Sequence, residues 1–172
     1  GAAPALVVAT PGAEPVPEGG YAAAVLLDGW ALLGRPDLRA AEETLRRWMN
    51  AAALLRPGAE LVVAADAALA PVQALLRWDP VTFSERELAE RAELGFPPAV
   101  RVATLTGVAP AVRQMAADLV LPPGAQILGP VPLEPPRPGE PGADDDRPRE
   151  RLMVRVPGPR GAELSRAVKA AA

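Results

Sequence analysis

Two consecutive prolines, Pro97-Pro98, divide this chain more sharply than any other feature. Proline fixes its own φ, lacks an amide donor and pushes the residue before it out of the helical region, so no helix passes this point. Upstream, Ser84 with Glu87 three residues on reads as a capping box, Glu87 and Arg91 stand four apart in the favourable order, and Gly95 sits where a left-handed helix end is wanted. A helix is therefore expected from about Ser84 to the glycine. Downstream, Ala99-Val100-Arg101-Val102-Ala103-Thr104-Leu105 alternates and reads as a strand.

The apolar runs upstream imply a parallel α/β sheet. Ala5 to Ala9, Ala22 to Leu27 and Glu60 to Ala65 are continuous enough for strands covered on both faces. Between the last two, Leu38, Ala41, Leu45, Trp48, Met49 and Ala52 recur at helical spacing over about 38–54, with Asp37 as cap. Glu42 with Arg46 and Glu43 with Arg47 are expected as pairs on its outer face. A short helix over about 68–78 follows. Beyond the prolines the order is strand (99–106), helix (110–119), short strand (125–128), a Pro/Gly-rich loop (129–148), strand (151–156) and helix (161–172). That order makes a small α+β sandwich. The fold class expected is thus α/β: an open parallel sheet, a helical connector and a C-terminal α+β domain, divided at 1–66, 67–97 and 98–172.

Composition removes several chemistries. With no cysteine or histidine there are no disulfides, no ordinary zinc site, no imidazole base and no thiol nucleophile in these 172 residues. No apolar run reaches the roughly 20 residues of a membrane span, and the N-terminus has no secretory pattern. It reads instead as if cut from a longer chain. Net charge is −3, with 17 of the 18 basic residues arginine. Residues 1–97 carry 8 basic and 13 acidic groups (−5), and 98–172 carry 10 and 8 (+2), a small asymmetry.

Thr10-Pro11-Gly12-Ala13-Glu14-Pro15 lacks the lysine and following helix of a phosphate loop. Asp28, at a strand end, and the triplet Asp144 to Asp146 read as turn and solvated loop residues. Arg137, Arg147, Arg149 and Arg151, on the long loop and the strand after it, are the candidates for binding phosphate, being long cations close together. The three tryptophans, Trp30, Trp48 and Trp78, are expected in core or interface packing.

Several strings carry a resemblance: ATPGAEPV, then VLLDGWALLGRPDLRAAEETLRRWM, VQALLRWDP, ERELAERAELGFPPAVRVATL and ILGPVPL. In this order the chain resembles the primosomal replication-restart PriA family, closest to its actinobacterial branch. The resemblance implies that 1–66 end a second helicase lobe and 67–97 form a connector. Residues 98–172 would be a C-terminal DNA-binding domain lacking its last strand. It implies branched DNA at replication forks, primosome components and replicative-helicase loading proteins as partners, no membrane, and a cytoplasmic location. No cofactor is implied in this stretch, the family's zinc site lying upstream. An active member would carry a Lys-Gly pair after the first strand and Q-x-x-G-R-x-G-R in the segment where this chain reads Asn50 to Pro57. Here Leu54 and Pro57 take the two arginine positions and Arg56 is one residue out. The function implied is fork recognition and helicase reloading without ATP-driven unwinding, so no catalytic residue is assigned. An active ATP-dependent 3′–5′ helicase and a protein-interaction domain that does not bind DNA are the alternatives.

Overall fold

A computed structural model describes residues 5–27, 29–134 and 147–171. The chain forms two compact units, Gly1–Glu87 and Leu88–Ala172, taken in turn.

In the first, β1 (Tyr21–Leu26) is followed by α1 (Gly29–Leu33), α2 (Ala40–Ala52), β2 (Leu55–Val63) and α3 (Ala70–Arg77), and α4 (Pro80–Leu94) begins. β1 and β2 pair in parallel, with Ala23 opposite Glu60 and Leu26 opposite Val63, and a register shift after the Tyr21–Leu55 pair. The parallel sheet is as the apolar runs implied, but it has two strands and not three. Residues 5–9 are outside any strand, and Leu6 is 92% exposed. An apolar run states that a strand wants covering; it does not supply the neighbour.

Helix α2 buries Ala40, Thr44, Leu45, Trp48 and Ala51, a single stripe at helical spacing. Leu45 and Trp48 (2% exposed) pack with Val72, Ala74, Leu75 and Phe83, while Leu26, Leu61 and Val63 supply the sheet side. Thr44 satisfies its hydroxyl by donating to the Ala40 carbonyl at 2.6 Å. The helix starts two residues later than its apolar pattern, because the Asp37 carboxylate accepts from Arg39 N in a local turn and does not cap it. On the outer face Glu43 takes both Arg46 (2.6 Å) and Arg47 (2.9 Å). Arg46 thus reaches three residues back rather than to Glu42. These two guanidiniums hold the Glu43 carboxyl down at about 2. Of the other tryptophans, Trp30 and Trp78 are exposed, contrary to expectation. Trp78 ends α3 in the left-handed conformation, φ 54°.

Helix α4 begins a full turn before Ser84. Asp79 caps it, accepting from Thr82 N at 3.0 Å, and Pro80 occupies the first turn, where its missing donor costs nothing. Ser84 lies inside the helix and donates to the Pro80 carbonyl at 2.7 Å. An Asp-Pro pair outranks a capping box one turn later, since a helix propagates from the earliest satisfied end.

In the second unit α4 ends at Gly95 (φ 66°). Then come β3 (Val100–Val108), α5 (Ala109–Asp118), β4 (Gln126–Pro132), β5 (Arg149–Pro157), a 3₁₀ turn and α6 (Gly161–Ala171). The sheet is antiparallel in the order β3-β5-β4, so β5 is central. Leu152, Val154 and Val156 of β5 are fully buried with Val112 of α5 and Leu164 of α6. This is the α+β layer expected, with β4 and β5 each longer than their apolar cores.

Candidate nucleic-acid interface

Alternation along β5 sorts its residues into two sets. Glu150, Leu152, Val154 and Val156 are buried beneath the helices, whereas Arg151 and Met153 are exposed and Arg149 and Arg155 half-buried on the other face. Directly opposed residues share a face, so Arg149 stands beside Val108, Arg151 beside Thr106 and Val131, and Met153 beside Thr104 and Leu128. The structure therefore brings Arg149 and Arg151 together on the sheet face away from the helices. Arg147 is exposed two residues before the strand, while Arg137 and Asp144 to Asp146 lie outside the described residues.

The same strand carries one acid, and it is turned inward and neutralised. Glu150 is 5% exposed and accepts from Arg113 of α5 at both carboxylate oxygens, Nε to Oε2 at 3.0 Å and Nη2 to Oε1. The paired guanidinium holds its carboxyl below the usual range, outweighing burial, which acts the other way. A negative charge that would repel phosphate is thereby removed from the arginine face.

Arg155 is a further cation of this strand that the sequence pattern did not single out, although its place at the step of two from Arg149 and Arg151 was the signal. It has structural partners: Nε donates to Gln126 Oε1 (2.7 Å), and Nη1 to the carbonyls of Leu94 (3.4 Å) and Gly95 (3.2 Å). These are the free carbonyls of the α4 terminus, where a cation is favoured.

The rest of the first unit offers little chemistry. Gly12 N donates to the Glu14 carboxylate (2.9 Å to Oε2), so the Thr10–Pro15 loop is occupied by its own acid. Arg56 is the second residue of β2 and exposed, with Pro57 after it and Leu54 just before the strand. Asp28 lies outside the described residues. Among the described residues no group of three or more acidic side chains is placed to hold a metal ion, and no helix is long and apolar enough to cross a membrane.

Residues 92–172 match the sequence model of the family described as Primosomal protein N C-terminal domain. Over 98% of its length the chain is 51% identical to the Probable replication restart protein PriA of Mycobacterium leprae (strain TN), and 50% identical to that of Mycobacterium tuberculosis (strain ATCC 25618 / H37Rv). The likeness to PriA carried by the residue strings thus holds along nearly the whole chain. The chain spans about a quarter of the length of these relatives, 26% and 27%.

Proposed function

We propose that this chain serves replication restart, contributing a DNA-binding domain that recognises branched DNA at abandoned forks and helps reload the replicative helicase. The observation that carries the reading is the alternation of β5, which turns Arg149 and Arg151 to the uncovered sheet face and ties up Glu150 with Arg113. Half or more of protein–DNA hydrogen bonds go to phosphate and sugar, so arginines on a face from which the strand's one acid is turned away favour sequence-indifferent, salt-sensitive binding. Residues 1–66 are read as the end of a helicase lobe, 67–97 as a connector and 98–172 as the DNA-binding part of a cytoplasmic protein. Primosome and helicase-loading proteins are its partners on this reading.

The lobe is proposed to be catalytically silent. An arginine finger puts a fixed positive charge on the transferring phosphate and is worth about 10³–10⁵ in rate. Leu54 and Pro57 have no such charge, and Arg56 is displaced by one residue. Forked DNA should leave ATP hydrolysis by the whole protein unchanged. Fork-stimulated turnover that survives changes across residues 50–57 would restore the active-helicase alternative.

DNA binding is tested by fluorescence anisotropy on a forked duplex across a salt series. Replacing Arg137, Arg147, Arg149 and Arg151 together by Ser should weaken binding and flatten the dependence of log affinity on log salt, by roughly 0.9 for each phosphate no longer neutralised. Replacing Asp144 to Asp146 should strengthen it. A four-arginine variant that binds as the parent does at every salt would make this loop solvated surface and put the DNA site elsewhere in the protein; a parent that binds no DNA would leave the protein-interaction alternative standing.

A further inference from the structure

We infer that the uncovered face of the C-terminal sheet is a platform for an unpaired, unstacked nucleic-acid strand, an inference that rests on the DNA-binding reading and narrows it. The face is neither wholly polar nor wholly apolar. Its rungs read Val131–Arg151–Thr106, Leu128–Met153–Thr104 and Gln126–Arg155–Val102 across the three strands. Val102 and Leu128 are each 40% exposed, Val131 50% and Met153 37%, so an apolar strip lies open between arginines and threonine hydroxyls. None of these rungs contains an acid, and the one acid of β5 faces the helices.

A duplex exterior cannot use such a strip. It presents phosphates and sugars outward and keeps its base faces stacked at about 3.4 Å per residue of each strand. A single strand offers the phosphates and the base faces together, and binding platforms for it combine cations with flat or apolar side chains under the bases. The spacing agrees. Rungs two residues apart along a strand repeat every roughly 6.8 Å, twice the stacked rise, so consecutive bases meet consecutive rungs only if the strand is unstacked. Arg151 adds a guanidinium plane for a base as well as charge for phosphate, while the Arg155 guanidinium is held by Gln126 and the end of α4.

The shape of the face depends on one glycine. Gly129 takes φ 96° at the irregularity between Leu128 and Val131, and a Cβ there would sit 2.9 Å from the Arg151 carbonyl. The extra residue is what sets Val131, rather than Pro130, on the rung with Arg151.

The test compares an unstructured oligo-dT strand with a blunt hairpin duplex by anisotropy, using the whole chain and Met153→Ser, which removes the apolar contact without adding charge. The expected result is a several-fold weakening for the single strand, with duplex affinity within about twofold of the parent. A second measurement needs no variant: peroxide oxidation of Met153, read by mass spectrometry against Met49 and Met115, should slow when oligo-dT is bound. If the chain binds duplex but Met153→Ser leaves single-strand affinity unchanged and Met153 is unprotected, the platform is disproved while DNA binding stands. If the chain binds neither nucleic acid, both readings fail. If an acidic apolar peptide protects Met153 and oligo-dT does not, the face is a protein-docking surface and the inference is overturned.

Discussion

The Arg155 guanidinium lies where a side chain on Gly95 would have to go: a Cβ built there would stand 2.6 Å from Nη1, the nitrogen that donates to Gly95's own carbonyl at 3.2 Å. Gly95 is thus required twice, by its φ of 66° and by the arginine that closes the helix end.

Gly95→Val should therefore destabilise the chain by about 1 kcal/mol or more, since a β-branched residue is strained in the left-handed region. Gly95→Ala and Arg155→Ala should be less than additive in combination, because removing the guanidinium removes the clash but not the strain. Denaturant titration of the four proteins in the cycle measures this. Strict additivity would mean that the side chain moves aside freely.

Glu150 predicts an acid-sensitive component of stability. Its folded value lies below the ordinary 4.5, so the unfolded chain binds the proton more readily. The stabilisation is fully present above the unfolded value and is lost as pH falls through the folded one. Glu150→Gln should cost stability at pH 7 and progressively less as pH drops below about 4.5, narrowing the gap to the parent. Denaturation midpoints across that range check it; a constant gap would show that the carboxyl titrates normally.

The start of α4 separates two side chains. Asp79→Ala should lower the thermal midpoint, because the Thr82 amide loses its acceptor, while Ser84→Ala should leave it nearly unchanged. The reverse order would restore Ser84 as the cap.

Leu152 is fully buried between two residues of the arginine face, so truncating it tests whether that face depends on the core beneath it. Leu152→Ala should cost about 2–5 kcal/mol. At temperatures where the variant stays folded, DNA affinity measured by anisotropy should fall less than for loss of Arg151.

What the sequence discloses follows from where its signals are local. The periods of 99–105 and 151–156 mark two strands of the second unit, α2 lies within the stretch whose apolar spacing announces it, and α5 is displaced from its expected stretch by one residue. Ser84 misleads because the capping box is a local pattern, and Asp79-Pro80 wins only when both ends are compared. Residues 5–9 mislead because burial of a strand is a property of its neighbours. The pairing of Tyr21 with Leu55 and the reach of β2 through Pro57-Gly58 depend on a register shift that no periodicity announces. Arg149 and Arg151 are recognisable as cations, but which face they occupy becomes visible only with Glu150, Leu152 and Val154 beneath the helices. Arg155 does not stand out because its partners, Leu94 and Gly95, are some sixty residues away in the chain.

The two-sidedness of β5 also limits how this segment can change over evolutionary time. Every odd-numbered residue from Arg149 to Arg155 belongs to one face and every even-numbered one to the other. A single-residue insertion or deletion within it would exchange the sets, sending guanidiniums into the core and Leu152, Val154 and Val156 into water. Substitutions there are graded in cost, but length changes are all-or-nothing. Length variation among descendants of this sequence should therefore accumulate outside Arg149–Pro157, in stretches where adding a residue reverses nothing.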